Sequence, residues 1–190
     1  MVSLATTRLP SHYDLDPRAE VLVVAPMHRG PAGIDALNDE LRAQLNEDGR
    51  PIAGTPLRVH DRVLQTKNNH ERELMNGEMG VIEHHDAERD RVLLACDDGR
   101  RLNLDVGELD TMRLAHAVSI HKAQGSQAPA VVVVLHRGHH LMLTRNLVYT
   151  AITRAERVCV VVGERAALHV ALGRRDTHAR HTRLKELLAG

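Results

Sequence analysis

Aromatic side chains are almost missing from these 190 residues: there are two tyrosines, Tyr13 and Tyr149, and no phenylalanine or tryptophan. Proteins that grip a single nucleic-acid strand by stacking its bases use such rings as platforms. Any contact of this chain with a strand must therefore run mainly through the phosphates. Lysine is nearly as scarce, with Lys67, Lys122 and Lys185 standing among many arginines. Net charge is absent as well, because 25 basic residues balance 25 acidic ones. That excludes a uniformly basic surface and leaves a local groove as the route to a polyanion. The two cysteines, Cys96 and Cys159, lie in unrelated segments, which argues against a redox pair or a zinc knuckle and for buried free thiols. No apolar run approaches the roughly 20 residues of a membrane helix, and the amino terminus has no signal-peptide pattern. A cytoplasmic protein with no membrane partner is expected. Finally, no Gly-Lys pair occurs, so the GxxxxGK loop with its following Ser or Thr, which cradles nucleotide phosphates and magnesium, is absent. Nor does a strand end in the paired acids that accompany it, which excludes a complete ATPase site within these residues.

What is present is an apolar framework with two periods. Ala130 to Leu135 is a β-branched run, the pattern of a strand covered on both faces, and Val158 to Val162 repeats it. Between them Leu147, Val148, Ala151, Ile152 and Ala155 recur at helical spacing after a possible N-cap at Thr144. Strand, helix and strand predict parallel pairing. Earlier, VLVVA within Glu20 to Ala25 predicts a buried strand, and Ile34, Leu37, Leu41 and Leu45 line one face of a helix from about Ile34 to Asn46. From about Pro56 to Thr111 the pattern shifts to short runs separated by NN, NG and DDG, which are hairpin signals. The expected architecture is an α/β parallel-sheet domain, residues 19–55 and 112–190, interrupted by a small antiparallel β-barrel, residues 56–111. Residues 1–18, with Pro10 and Pro17 and no sustained period, read as a tail or lead-in. The carboxyl-terminal segment reads as two amphipathic helices, Ala166 to Leu172 and Thr182 to Leu188, joined by an arginine-rich connection.

Two polar clusters interrupt the framework where elements end, which is where α/β folds place ligands. The first, HKAQGSQ from His121 to Gln127, reads as a short helical segment closing in a Gly-Ser turn whose N–H groups and hydroxyl suit a phosphate. The second places Thr150, Thr153 and Arg154 on an otherwise buried helix. Arginine keeps its charge and offers a planar fork of donors, which suits a transferring phosphoryl group. A helix-end arginine bonding a carbonyl is the plainer alternative. The 14 histidines, including HRGHH at His136 to His140, carry no HExxH pattern or carboxylate partner; loop histidines suffice, and no metal is expected.

SIHKAQGSQ and LVYTAITRA resemble motifs V and VI of superfamily 1 helicases, in wording closest to the RecD-like 5'-to-3' DNA helicases. The resemblance implies a RecA-like second motor domain with a Src-homology-3-like barrel inserted in it, and DRVLQTKNN followed by NGEMGVI resembles that barrel's first strands. PMHRGPAGIDALN resembles motif IV, which carries Arg29 over as a second phosphate-sensing residue beside Arg154. Gln124, Gly125, Ser126 and Gln127 fall on the nucleotide side, with Gln127 standing where the family usually has glutamate. An amide accepts a ribose hydroxyl bond without charge assistance. His121 and Lys122, with Gln65, Lys67 and Asn68 of the barrel, are the implied DNA contacts, although the barrel residues also read as ordinary turn and edge polars. The implied partners are single-stranded DNA and a Walker A-containing motor domain, in cis or in trans, that holds most of the ATP and magnesium. Two function classes stay open: the carboxyl-terminal part of a helicase that does not hydrolyse ATP alone, and a non-catalytic single-strand-binding module from a truncated helicase.

Overall fold

The computed structural model describes residues 1–30 and 32–174. Its centre is a four-stranded parallel sheet made of β1 (Val21–Ala25), β7 (Ala117–Ser119), β8 (Ala128–Leu135) and β9 (Ala155–Gly163), in the order β7-β1-β8-β9. Register runs Val23 against Ala117, Val21 against Ala130 and Val132 against Val160. Successive strand residues face opposite ways, so the apolar runs feed two cores. Leu22, Val24, Val131 and Val133 pack with Leu147, Val148 and Ala151 of α3 (Arg145–Ile152) and Ala167 and Ala171 of α4 (Arg165–Gly173). Val21, Val23, Val132 and Val134 pack instead with Ile34, Leu37 and Leu41 of α2 (Ile34–Leu45). Both faces of the central strands are thereby closed, which is why their sequence reads as continuous valine.

The second sheet is antiparallel, in the order β5-β4-β3-β2-β6. Its strands are β2 (Arg62–Gln65), β3 (Met79–Asp86), β4 (Arg91–Cys96), β5 (Arg101–Asp105) and β6 (Met112–Leu114). It has its own core, with Leu57, Val63, Leu74, Ile82, Leu94 and Leu104 buried together. The fold class is thus the expected one, an α/β parallel sheet combined with a small antiparallel β-unit. The antiparallel pairing reaches beyond position 111, because Val63 pairs with Leu114, and Ile52 also packs in this core.

Three expectations are corrected here. Residues 1–18 are no extended lead-in: Leu4–Arg8 is a π-type helical stretch that continues into α1 (Leu9–Tyr13). Pro10 falls in the first turn of α1, where no backbone donor is needed, and Ala5, Leu9 and Leu15 are buried against the sheet. β9 is not covered like β8, since among the described residues it is the sheet's edge strand and all of its residues are half-buried or exposed. The helix of the second polar cluster stops at Ile152, and Ala155 already belongs to β9. Of the two carboxyl-terminal helices, the first is α4, and the second lies outside the described residues. Among the described residues no helix is long and apolar enough to cross a membrane.

The two sheets are joined by buried polar contacts. Asn38 of α2 donates from Nδ2 to the Ala117 carbonyl at 2.9 Å and to the Leu114 carbonyl of β6 at 3.3 Å, and accepts from the Ala117 N–H at 2.8 Å, so that it bridges the edge of β7 to the antiparallel sheet. At the far end of α2, Asn46 Nδ2 donates to Asp61 Oδ1 at 2.8 Å, while Asp61 Oδ2 accepts from the Arg58 N–H. His116 lies beside them with Nε2 3.7 Å from Asp61 Oδ1. Burial pushes the Asp61 carboxyl up, but His116, Asn46 and Arg58 together outweigh it and hold the group below the ordinary carboxylate value.

Candidate functional site

The segment between β7 and β8 crosses from the carboxyl end of one strand to the amino end of the next. It does so as linked tight turns rather than the short helix expected. Ala123 N–H reaches the Ser119 carbonyl, Gln124 N–H that of His121, and Ser126 N–H that of Ala123. Gly125 has φ +91, a left-handed conformation that glycine adopts without strain and that ends any helical run. Gln124, Gly125 and Gln127 are exposed, and Ser126 is half-buried.

α3 begins where Thr144 Oγ1 accepts from the Leu147 N–H at 3.2 Å, the N-cap expected from sequence. It ends at Ile152 with Thr153 as its C-cap, and Arg154 follows at once. The Arg154 guanidinium donates from Nε to the Thr150 carbonyl at 3.2 Å, from Nη1 to the Ser126 carbonyl at 3.3 Å and from Nη2 to Thr153 Oγ1 at 3.2 Å. Its own carbonyl accepts from the Ala128 N–H at 3.0 Å. One residue therefore fastens the end of α3 to both sides of Gln127. A guanidinium carries five N–H donors; with one bond made by each nitrogen, two donors remain, a set that fits a phosphoryl oxygen.

Arg29 sits elsewhere. The loop after β1 folds back so that Ile34 N–H reaches the Met27 carbonyl and Asp35 N–H that of His28, satisfying the first donors of α2. Gly33 makes this possible, because a β-carbon there would stand 2.4 Å from the His28 oxygen. Arg29 is exposed and makes no hydrogen bond or ion pair among the described residues. It follows the carboxyl end of β1, whereas Arg154 precedes Ala155, which pairs with Ala128 at the amino end of β8. Val24 pairs with Val133, so the two arginines occupy opposite ends of the sheet. A strand as long as β8 spans on the order of 20 Å, so the two residues start from well-separated ends of the sheet.

The other candidates divide. His121 is exposed and borders a groove of about 450 Å³ with Gln124, Leu141, Met142, Thr144 and Thr150. Gln124 to Gln127 also line a cleft of about 460 Å³ whose far wall is the antiparallel sheet's Glu78, Asp97 and Asp98. That wall is compensated, since Arg62 pairs with Asp97 at 2.5 Å, and Arg100 pairs with Asp98 at 2.6 Å and Glu78 at 3.0 Å. Gln65 is corrected: it is only 3% exposed, and its amide oxygen accepts from the Thr111 hydroxyl at 3.3 Å, so it builds the antiparallel unit and offers nothing to a strand. Asn68 closes its turn by accepting from the Asn76 N–H at 2.9 Å, while Lys67 is exposed. Lys122 is half-buried and donates from Nζ to Asn76 Oδ1 at 2.5 Å. Asn76 is the residue that the sequence reading passed over. Its Asn-Gly pair marked a turn, but nothing local announces that the turn reaches Lys122.

In the HRGHH loop, His136 Nε2 is 3.2 Å from Glu164 Oε1, and Arg137 pairs with the same carboxylate. Burial pushes the His139 imidazole down, and the neighbouring His136 adds to this, against a hydrogen bond to the Ala32 backbone. Among the described residues no group of three or more His, Cys, Asp or Glu side chains is arranged to hold a metal ion.

Comparison with known proteins adds two domain signatures in chain order. The RecD-like DNA helicase SH3 domain matches residues 37–95, and the UvrD-like helicase C-terminal domain matches residues 114–162. The chain is 40% identical over 168 residues to the ATP-dependent RecD2 DNA helicase of Deinococcus radiodurans, covering 87% of this chain and 23% of that protein. It is 37% identical over 169 residues to the RecBCD enzyme subunit RecD of Mycolicibacterium smegmatis, covering 85% and 28%. The chain thus spans about a quarter of the length of these relatives. Among solved structures, the Pif1 helicase from Bacteroides in complex with ADP-AlF3 and ssDNA superposes with a TM-score of 0.55 at 19% identity, over 84% of this chain and 43% of that one. That likeness speaks for the fold alone.

Proposed function

We propose that this chain, which belongs to the RecD-like helicases by virtue of its UvrD-like C-terminal domain and RecD-like SH3 domain, serves as the carboxyl-terminal motor portion of a cytoplasmic ATP-dependent DNA helicase. In this reading it completes an ATPase site whose Walker A half lies outside these residues. The observation that carries the reading is Arg154, a charged fork at the end of α3 with two donors to spare, fastened to the turn that holds Gln124 to Gln127.

ATP with magnesium, held mainly by the first motor domain, supplies the phosphoryl chemistry when bound. Arg154 stands where the cleft between motor domains closes, and its free N–H donors turn toward the charge that develops on the transferring group. Gln127 and the Gly125 to Ser126 backbone orient the nucleotide from the same turn. His121, Lys122 and Lys67 face the single strand, so that closing and opening of the cleft moves this surface relative to the first motor domain. In this reading the phosphate-sensing role rests on Arg154, and Arg29, at the other end of the sheet, stays outside the hydrolytic step.

The test is Arg154→Ala in a two-motor-domain protein that contains this chain. DNA-stimulated ATP hydrolysis is expected to fall by about 10³ to 10⁵ while single-strand binding survives, and the 190-residue chain alone is expected to hydrolyse at background. Unchanged turnover in Arg154→Ala removes the assignment.

A further inference from the structure

Lys122 and Asn76 are 46 residues apart in sequence and meet across the junction between the two sheets. From this contact we infer that Asn76 is a positioning residue, holding the Lys122 ammonium in place for a phosphate of single-stranded DNA. The inference rests on the helicase reading above and deepens it.

Asn76 is itself fixed from both sides. Its N–H donates to Asn68 Oδ1, and the next residue, Gly77, donates its N–H to the Gln65 carbonyl at 2.9 Å. At the other end of the contact, the Lys122 N–H donates to Ser119 Oγ at 3.2 Å. The lysine is therefore anchored at its backbone and at its tip, and little of its usual rotamer freedom is left to lose when a ligand arrives.

The chemistry of the holder matters. An amide is neutral, so Asn76 takes one of the three ammonium donors without cancelling the charge, and two donors stay available. A carboxylate in the same place would fix the lysine equally well and neutralise it. The nearest acid along the turn, Glu78, is engaged by Arg100 at 3.0 Å, which keeps it from playing that part. Lys67, the other lysine among the described residues, is exposed on the same turn, next to Asn68. Both described lysines are thus placed at one hydrogen-bonded turn, Lys67 on it and Lys122 bonded to it, in a protein with almost no aromatic platforms for bases.

The experiment is binding of fluorescein-labelled oligo-dT by the 190-residue chain, followed by anisotropy over a series of salt concentrations, with thermal melts to establish folding. Lys122→Ala is expected to weaken binding and to reduce the slope of log K against log salt by about 0.7, the loss of one phosphate contact on a single strand. Asn76→Ala keeps the charge, so binding weakens by about three- to tenfold with the wild-type slope. Asn76→Asp, nearly the same shape, is expected to copy the slope of Lys122→Ala. Wild-type affinity in Asn76→Ala, or a wild-type slope in Asn76→Asp, overturns the positioning role while leaving the helicase reading intact. Wild-type binding in Lys122→Ala overturns it too, by showing that the strand does not reach this turn. No measurable binding by the folded wild-type chain counts against the DNA-facing part of the helicase reading, and the inference falls with it.

Discussion

Arg154 Nη1 donates to the carbonyl oxygen of Ser126 at 3.3 Å, while the Arg154 carbonyl accepts from the Ala128 N–H at 3.0 Å. The pair of bonds ties the end of α3 to the turn before β8, so any shift of one moves the other. Arg154→Lys keeps the charge and loses the planar fork. It is expected to cost about 1 kcal/mol of stability in urea unfolding, because the lost bonds are only partly buried. In the two-motor-domain protein it is also expected to fail to restore turnover. A lysine variant that hydrolyses like wild type would show that charge alone suffices.

α3 depends on its first turn. Thr144 Oγ1 accepts from the Leu147 N–H, and Leu147 is among the buried residues that seat α3 on the sheet. Thr144→Ala should lower stability by about 1 kcal/mol, with Thr144→Ser close to wild type, since serine supplies the same oxygen. Equal losses in both variants would mean that the threonine methyl, not the cap, matters.

Features set by local pattern were legible in the sequence. The β8 run, the Thr144 cap and the hairpin signals at Asn-Gly and Asp-Asp-Gly each follow from a few neighbouring residues. Features set by strand order were not. Val158 to Val162 is as apolar as β8, yet lies at the edge because no described strand pairs beyond it. Gln65 looks like a surface polar until Thr111, 46 residues on and just before the neighbouring strand β6, takes up its amide. The separation of Arg29 from Arg154 likewise follows from parallel pairing across β1, β8 and β9, which no spacing along the chain encodes.

Asp61 at the sheet junction is fully buried, with Asn46, Arg58 and His116 around it and Arg42 Nη1 3.8 Å from its other oxygen. Its folded pKa is depressed, so it contributes stability above its unfolded value near about 4, and that contribution is lost as pH falls through the lower folded value. Wild-type protein should therefore lose urea resistance below about pH 4. Asp61→Asn should be less stable by about 1–3 kcal/mol near neutrality, because donors that faced a carboxylate now face an amide, and its profile should be flatter in acid. Parallel acid profiles for the two proteins would place the acid sensitivity elsewhere.

Gly33 and Arg29 allow the two ends of the parallel sheet to be separated by experiment. A β-carbon at Gly33 would stand 2.4 Å from the His28 oxygen and 2.6 Å from the Arg29 carbonyl carbon. That His28 oxygen already accepts from the Asp35 N–H, so the loop cannot retreat without giving up a bond at the start of α2. Gly33→Ala is expected to cost about 1–3 kcal/mol, read from the thermal or urea midpoint. Arg29→Ala has no such bond to lose among the described residues, and its stability should match wild type. In the two-motor-domain protein, Arg29→Ala should lower turnover by less than about tenfold, against a loss of about 10³ or more for Arg154→Ala. A loss in Arg29→Ala as large as that in Arg154→Ala would mean that a phosphate reaches both ends of the sheet, which requires the closed motor to bend the loop after β1 far from its present course.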